Sequence, residues 1–320
     1  MAAGRVEHLS KAQHLRPSLK RPSTEESFLG AAIGNAIGGQ RGMRTIGKVS
    51  DLVDGILWPY EVYFAQMIIR SIIDHKGRLE MGQLGSDIAA TLAGEKRLEA
   101  YIRSPQTQTV INLADLSSGW IGGPGPSAHS VGIGLKNHNN LGANIEDMFQ
   151  AGLESHSSAC AVSGGIIVSA ATGLAVNEGE NPEAIWHQLN VFIDHLPKGF
   201  KVPGRLMKRL DIVGDLLRQN IPTEKGIKQL QYSSDWLNKT ALGVIPLSFF
   251  IAYNRPNSFK SLIKILWGSG IDNYKVWMIT AMLGGAMVGI EGIPDKWIGE
   301  LPYNQVIINN ARELYQAIEG

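Results

Sequence analysis

The chain predicts an all-α protein, a single large multi-helix bundle, on three observations. Apolar residues recur at three- and four-residue spacing in segment after segment. Alternating strand patterns bounded by turn residues are scarce. No fixed-period repeat and no Pro- or Ser-rich linker divides the 320 residues. Hydrophobic residues make up 44% of the sequence and charged residues 18%, so one domain can bury a substantial core.

Residues 1–24 read as a basic, disordered tail ahead of one domain spanning 25–320. The tail carries Arg5, Lys11, Arg16, Lys20 and Arg21 against Glu7, together with Pro17 and Pro22. It is acid-poor, so a mitochondrial presequence is a minor alternative to a cytoplasmic location; there is no apolar core of a secretory signal. Ser27-Phe28-Leu29 opens a small-residue helix that is expected to stop at Gly38-Gly39. YEVYFAQMIIRSIIDHK (60–76) has helical periodicity and ends before Gly77. Residues 104–140, with SSGWIGGPGPSAHS at their centre, read as a long polar, Gly-rich loop. Helices follow over 141–156, 181–196, 205–220, 258–268 and from Asn304 to the C-terminus. Asn181 before Pro182 reads as an N-cap followed by proline at the first helical position.

SACAVSGGIIVSAATGLAVN (158–177) has no charge and is long enough to test as a membrane span. It is rich in Ser, Gly and Ala, and the acidic NEGENPEA follows instead of a basic flank, so a helix buried in a soluble core is expected. Such small-residue helices imply close helix–helix contacts.

With 30 Lys+Arg against 29 Asp+Glu, no global field favours nucleic acid or an anionic membrane. Cys160 is the only cysteine, which excludes an intrachain disulfide and a cysteine-based zinc site. A disulfide-linked dimer through Cys160 is the most that covalent cross-linking could give; other self-association stays open. His129, His138 and His156 fall in one region, but no pair has i, i+4 spacing, and packed or surface histidines are the plainer reading. Ser155 beside His156 does not suggest a nucleophile–base pair, since sequence neighbours rarely form one. Trp58, Tyr60, Tyr63 and Tyr274 could stack an adenine, although helix-face packing explains them as well. The GGPGPS loop lacks the Lys and Ser/Thr of a phosphate-binding loop.

Three segments in order resemble the ADP-ribosylglycohydrolase superfamily. GAAIGNAIGG (30–39) is similar to its opening Gly-x-x-x-Gly-Asp-Ala-x-Gly. ILWPYEVYFAQMIIRSII (56–73) stands where the family has Thr-Asp-Asp-Thr leading a helix. GIDNYKVWMITAMLGGAMVG, from Gly270, resembles the Gly-Gly-Asp-Thr-Asp-Thr motif, its helix, and the Ile293-Pro294-x-x-Trp297 turn beyond it. The helix carrying His156 resembles the family's mid-chain helix. The resemblance implies an all-α fold and two magnesium ions held by the front and back carboxylates. Magnesium is a hard cation that takes oxygen ligands in near-octahedral geometry, and two ions need several carboxylates.

Laid onto this chain, those motifs are degraded. The front triplet becomes Pro59, Tyr60 and Glu61; the back motif keeps Asp272 but has Tyr274 and Lys275; the opening Asp becomes Asn35. The family's Asn-Gly-Ala loop has no clear match in residues 125–134. The resemblance therefore implies lost magnesium, no cofactor and no catalytic residue. Two arrangements are open: Lys275 pairs with Asp272 or Glu61 in place of the ions, or Asp272 caps a helix while Lys275 points to solvent. The expected role is structural, as in the jellyfish lens J-crystallins of this superfamily. A pseudoenzyme binding ADP-ribose or an ADP-ribosylated partner is the alternative. A divergent active hydrolase would need Asp51 or Asp54 to converge on Glu61 and Asp272.

Overall fold

The computed structural model describes residues 21–45, 59–80, 84, 122–153, 156, 158–254 and 258–320. Among them are fifteen α-helices and no strand. They are α1 Thr24–Thr45, α2 Tyr60–Asp74, α3 Gly125–Ala128, α4 Val131–Lys136 and α5 Ala143–Leu153. Next come α6 Ala159–Glu178, α7 Pro182–Asp194, α8 Gly204–Arg218, α9 Thr223–Leu230 and α10 Asp235–Asn238. The last five are α11 Ala241–Tyr253, α12 Phe259–Gly268, α13 Tyr274–Val288, α14 Asp295–Gly299 and α15 Asn304–Glu319.

Helix α1 begins three residues earlier than its apolar pattern suggests. Ser23 Oγ accepts from the Glu26 amide at 3.2 Å, and Glu26 Oε2 accepts from the Ser23 amide at 2.5 Å. This reciprocal capping satisfies two of the amide donors that a helix start leaves open. The helix also runs through Gly38-Gly39 rather than stopping there. Thr24, the last residue assigned to the tail, is the first of this helix. Asn181 caps α7 as its sequence indicates, its side chain accepting from the Ala184 amide at 3.2 Å.

Three helices are apolar all round and buried, as such helices must be in a globular core. In α6 every residue from Ala159 to Val176 is buried. This is the one described helix long and apolar enough to cross a membrane, and that stretch is wholly buried inside the fold. Helix α11 is buried from end to end, and α13 from Lys275 to Met287. Helix α13 lies against α1, α6, α11 and α12, while α2 lies against α4 and α15. Cys160 is buried at the start of α6, and burial pushes its thiol pKa up.

Within the expected loop at 104–140, residues 125–128 and 131–136 form the helices α3 and α4, buried but for Lys136. Helices α3 and α4 pack on α6, and their glycines are points of contact: a Cβ on Gly134 would stand 2.5 Å from the Ser169 carbonyl oxygen. Close packing, not chain freedom, accounts for glycine there.

Candidate functional site

A glycine stripe builds the site. Gly30, Gly34, Gly38 and Gly42 recur every fourth residue on α1 and share one face. A Cβ on Gly30 would sit 2.1 Å from the Gly285 carbonyl oxygen, on Gly34 2.2 Å from that of Ala281, and on Gly38 2.4 Å from that of Trp277. At the far end, a Cβ on Gly42 would lie 2.8 Å from the Tyr274 Cα. The stripe thus seats α13 antiparallel on α1 and brings the α13 N-terminus to the C-terminal half of α1. Gly39 receives α2 in the same region, with Pro59 and Val62 against it.

Glu61 and Lys275 meet at this junction. Pro59 is buried immediately before α2, and Glu61 follows in the first turn, where a carboxylate suits the helix dipole. Asn273 caps α13, its Oδ1 accepting from the Lys275 amide at 3.0 Å, so Tyr274 and Lys275 fall in the first turn. Lys275 Nζ stands 2.8 Å from Glu61 Oε1. The Tyr274 hydroxyl reaches both carboxylate oxygens, at 3.0 and 2.9 Å. Both charged side chains are buried, at 10% exposure for Lys275 and 3% for Glu61. Burial alone would push the Glu61 carboxyl pKa up. The Lys275 ammonium, and hydrogen bonds that include the one from Tyr274, hold it below the ordinary value instead.

Two histidines complete the cluster. His129 follows α3 and stacks on Phe64 of α2, ring centroids 5.4 Å apart. Its Nε2 is buried without a hydrogen-bond partner among the described residues. His156 lies against Gly125, where a Cβ would stand 2.5 Å from its Cε1. Burial, with the Lys275 charge adding to it and the Glu61 charge opposing it, lowers the His129 pKa to about 4 and that of His156 to about 3. Both rings are neutral at neutral pH. Asn35 of α1 ties in the turn before His129: its Nδ2 donates to the Ala128 carbonyl at 2.8 Å and lies 3.8 Å from Met282 Sδ.

Of the residues picked from sequence, Asn35, Pro59, Glu61, Tyr274 and Lys275 gather here. Asp272 does not. It is 64% exposed and faces Lys239 at 3.8 Å. Nor does it cap the helix, since Asn273 holds that place, and Lys275 is buried rather than solvated. Tyr60 is the first residue of α2. Tyr63 is half-buried and packs against the core. Asp51, Asp54 and Trp58 lie outside the described residues. His138 is structural, its Nδ1 2.8 Å from the Leu135 carbonyl and its Nε2 3.3 Å from Glu319. Sequence spacing missed His129 and His156 because they approach Glu61 from separate elements.

The donor set described here does not suit magnesium. That ion takes oxygen ligands; around Glu61 the described residues supply one carboxylate, already engaged by an ammonium and a phenol, and two imidazoles. Among the described residues, no three His, Cys, Asp or Glu side chains converge as a metal-binding group.

An all-helical bundle with a polar cluster where its first, second and thirteenth described helices meet defines the class. The family model for ADP-ribosylglycohydrolase matches residues 20–320, and the chain belongs to that family. Among solved structures, an "ADP-ribosylglycohydrolase-related protein complex" superposes with a TM-score of 0.65 over 92% of this chain and 99% of that one. Identity is 17%, so that likeness speaks for the fold alone. Comparison with the curated proteins finds no match.

Proposed function

We propose that this chain is a non-hydrolytic member of its family, in which an internal ion pair stands where the resemblance puts metal, and that its role is structural, of the crystallin type. The observation that carries the reading is the Glu61 carboxylate, with Lys275 at 2.8 Å and the Tyr274 hydroxyl on both oxygens. An ammonium in that place supplies the positive charge a buried carboxylate needs. Unlike a metal ion, an ammonium so engaged offers water no coordination position, so this pair does not itself activate a nucleophile toward ribose. A near-neutral net charge of +1 and a single, buried cysteine suit a protein kept concentrated for long periods without cross-linking.

Calorimetry on the full chain tests this, first with magnesium and then with ADP-ribose in the same cell. Silence for both ligands is the expected result. Magnesium heat that disappears in Glu61→Gln or Asp272→Ala, or release of ADP-ribose from a modified peptide, would overturn the non-hydrolytic reading. ADP-ribose binding without magnesium would overturn the structural role in favour of a ligand-binding pseudoenzyme.

A further inference from the structure

Between Asp194 and Asp211 the chain carries Lys198, Lys201, Arg205, Lys208 and Arg209 and no acidic residue. The near-zero charge of the whole chain conceals this local excess. Lys198 opens a 3₁₀ turn, Lys198–Phe200, which Phe200 pins to α5 by an edge-on contact with Phe149, ring centroids 5.1 Å apart. Lys201 precedes α8, and Arg205 and Lys208 fall in its first turns, three residues apart and so on one face. Arg209 is used by the fold: its guanidinium lies 4.3 Å over the Tyr232 ring and donates to the Leu230 carbonyl. The other four are exposed, and none of their side chains has a hydrogen bond or an ion pair among the described residues. By contrast, Arg70, Arg218, Lys239 and Arg312 each stand against a carboxylate.

This arrangement works against the folded chain. Like charges three and four residues apart repel, and cations at a helix start oppose its dipole. Helix α8 has no acid in its first turn and no side-chain cap, and a Cβ on Gly204 would meet nothing within 4 Å. A polyanion laid along the strip turns both penalties into attraction. The spacing of the four cations along one short path suits a linear chain of regularly placed charges. A bilayer fits less well, because the exposed large apolar residues among those described are Val191, Trp236, Trp267, Tyr303 and Val306, and none lies in the strip to enter lipid. A phosphodiester backbone asks only for cations and N–H donors.

We propose that Lys198, Lys201, Arg205 and Lys208 form a docking surface for the phosphate backbone of a nucleic acid, bound without regard to base sequence. The test is fluorescence anisotropy of a short labelled DNA duplex titrated with the full chain. Four phosphate contacts predict a slope of log K against log salt of about −3.6, so affinity should fall about fiftyfold between about 50 and 150 mM salt. Lys201→Gln/Arg205→Gln should weaken binding at least about tenfold and make the slope shallower by about two. Urea unfolding should find that variant at least as stable, since Arg205 leaves a helix start. Lys260→Gln/Lys264→Gln removes the same charge from the exposed face of α12 and should leave affinity nearly unchanged. No anisotropy change at low salt with about 100 µM chain would overturn the proposal. So would an equal loss in the α12 variant, or binding to phosphatidylglycerol vesicles or polyglutamate as tight as to the duplex. The strip shares no residue with the Glu61 cluster and no readout involves ADP-ribose, so the outcome is independent of the reading of that site.

Discussion

Replacing Lys275 with Met keeps the length of the side chain and removes its charge. At 2.8 Å the Lys275–Glu61 attraction is about 6 kcal/mol at an effective dielectric of about 20. Most of that offsets the cost of taking both charges from water. The net effect is therefore better judged from what the variant leaves behind: a carboxylate at 3% exposure that keeps the Tyr274 hydroxyl on its oxygens but has lost its counter-charge. Breaking one side of such a pair costs about 3–5 kcal/mol. The sign of the pH dependence is the sharper test. In the native chain the Glu61 pKa is depressed, so its contribution is full above the ordinary carboxylate range and is lost as pH falls through the folded value. Without Lys275, desolvation dominates and the pKa rises above ordinary, so the variant gains relative to the native chain on acidification. Urea unfolding across pH should show the deficit of Lys275→Met greatest at neutral pH and shrinking toward acid. The double variant Glu61→Gln/Lys275→Met should recover most of the loss, since no buried charge remains. A deficit below about 1 kcal/mol at neutral pH, or one that does not change with pH, would refute a buried, mutually dependent pair.

Gly34→Ala drives a Cβ to 2.2 Å from the Ala281 carbonyl oxygen, which is backbone and cannot turn aside. Overpacking should cost about 3 kcal/mol despite the better helix propensity, whereas Gly268→Ala, with open space around it, should be neutral or slightly stabilising in the same denaturation assay. His129 holds a folded pKa of about 4 against an ordinary 6.5, so the unfolded chain takes up its proton first as pH falls between those values. Stability should drop by about 3 kcal/mol across that window, and His129→Leu should flatten the profile there. Asn35→Ala strands the Ala128 carbonyl, which now accepts at 2.8 Å, and should cost about 1–3 kcal/mol by urea unfolding.

How far the sequence could be read depended on whether a residue's meaning was local. The helices over 60–74, 182–194, 204–218 and 304–319 were legible because each has one apolar face and recognisable ends, such as Asn181-Pro182 and the stop before Gly77. Helix α11 was not, because it is apolar all round, has no periodic face, and contains Pro246. Residues 125–136 looked like a loop for the same reason the α1 helix looked shorter than it is. Glycine signals chain freedom in sequence, and only contact with another backbone reveals it as the residue that fits.

By itself, the sequence determined that the chain is an all-α member of one family. It left undecided whether Lys275 answers Asp272, Glu61 or water, because all three suit a lysine. Only the tertiary structure decided it. The α1 stripe lays α13 so that Lys275 and Tyr274 face Glu61, while Asp272, just before the helix, is turned out toward Lys239. His129 and His156 join from parts of the chain outside α1, α2 and α13. Spacing along a chain fixes which residues share a helix face; which faces meet is set by how closely two backbones can approach, and that is a property of the packed molecule.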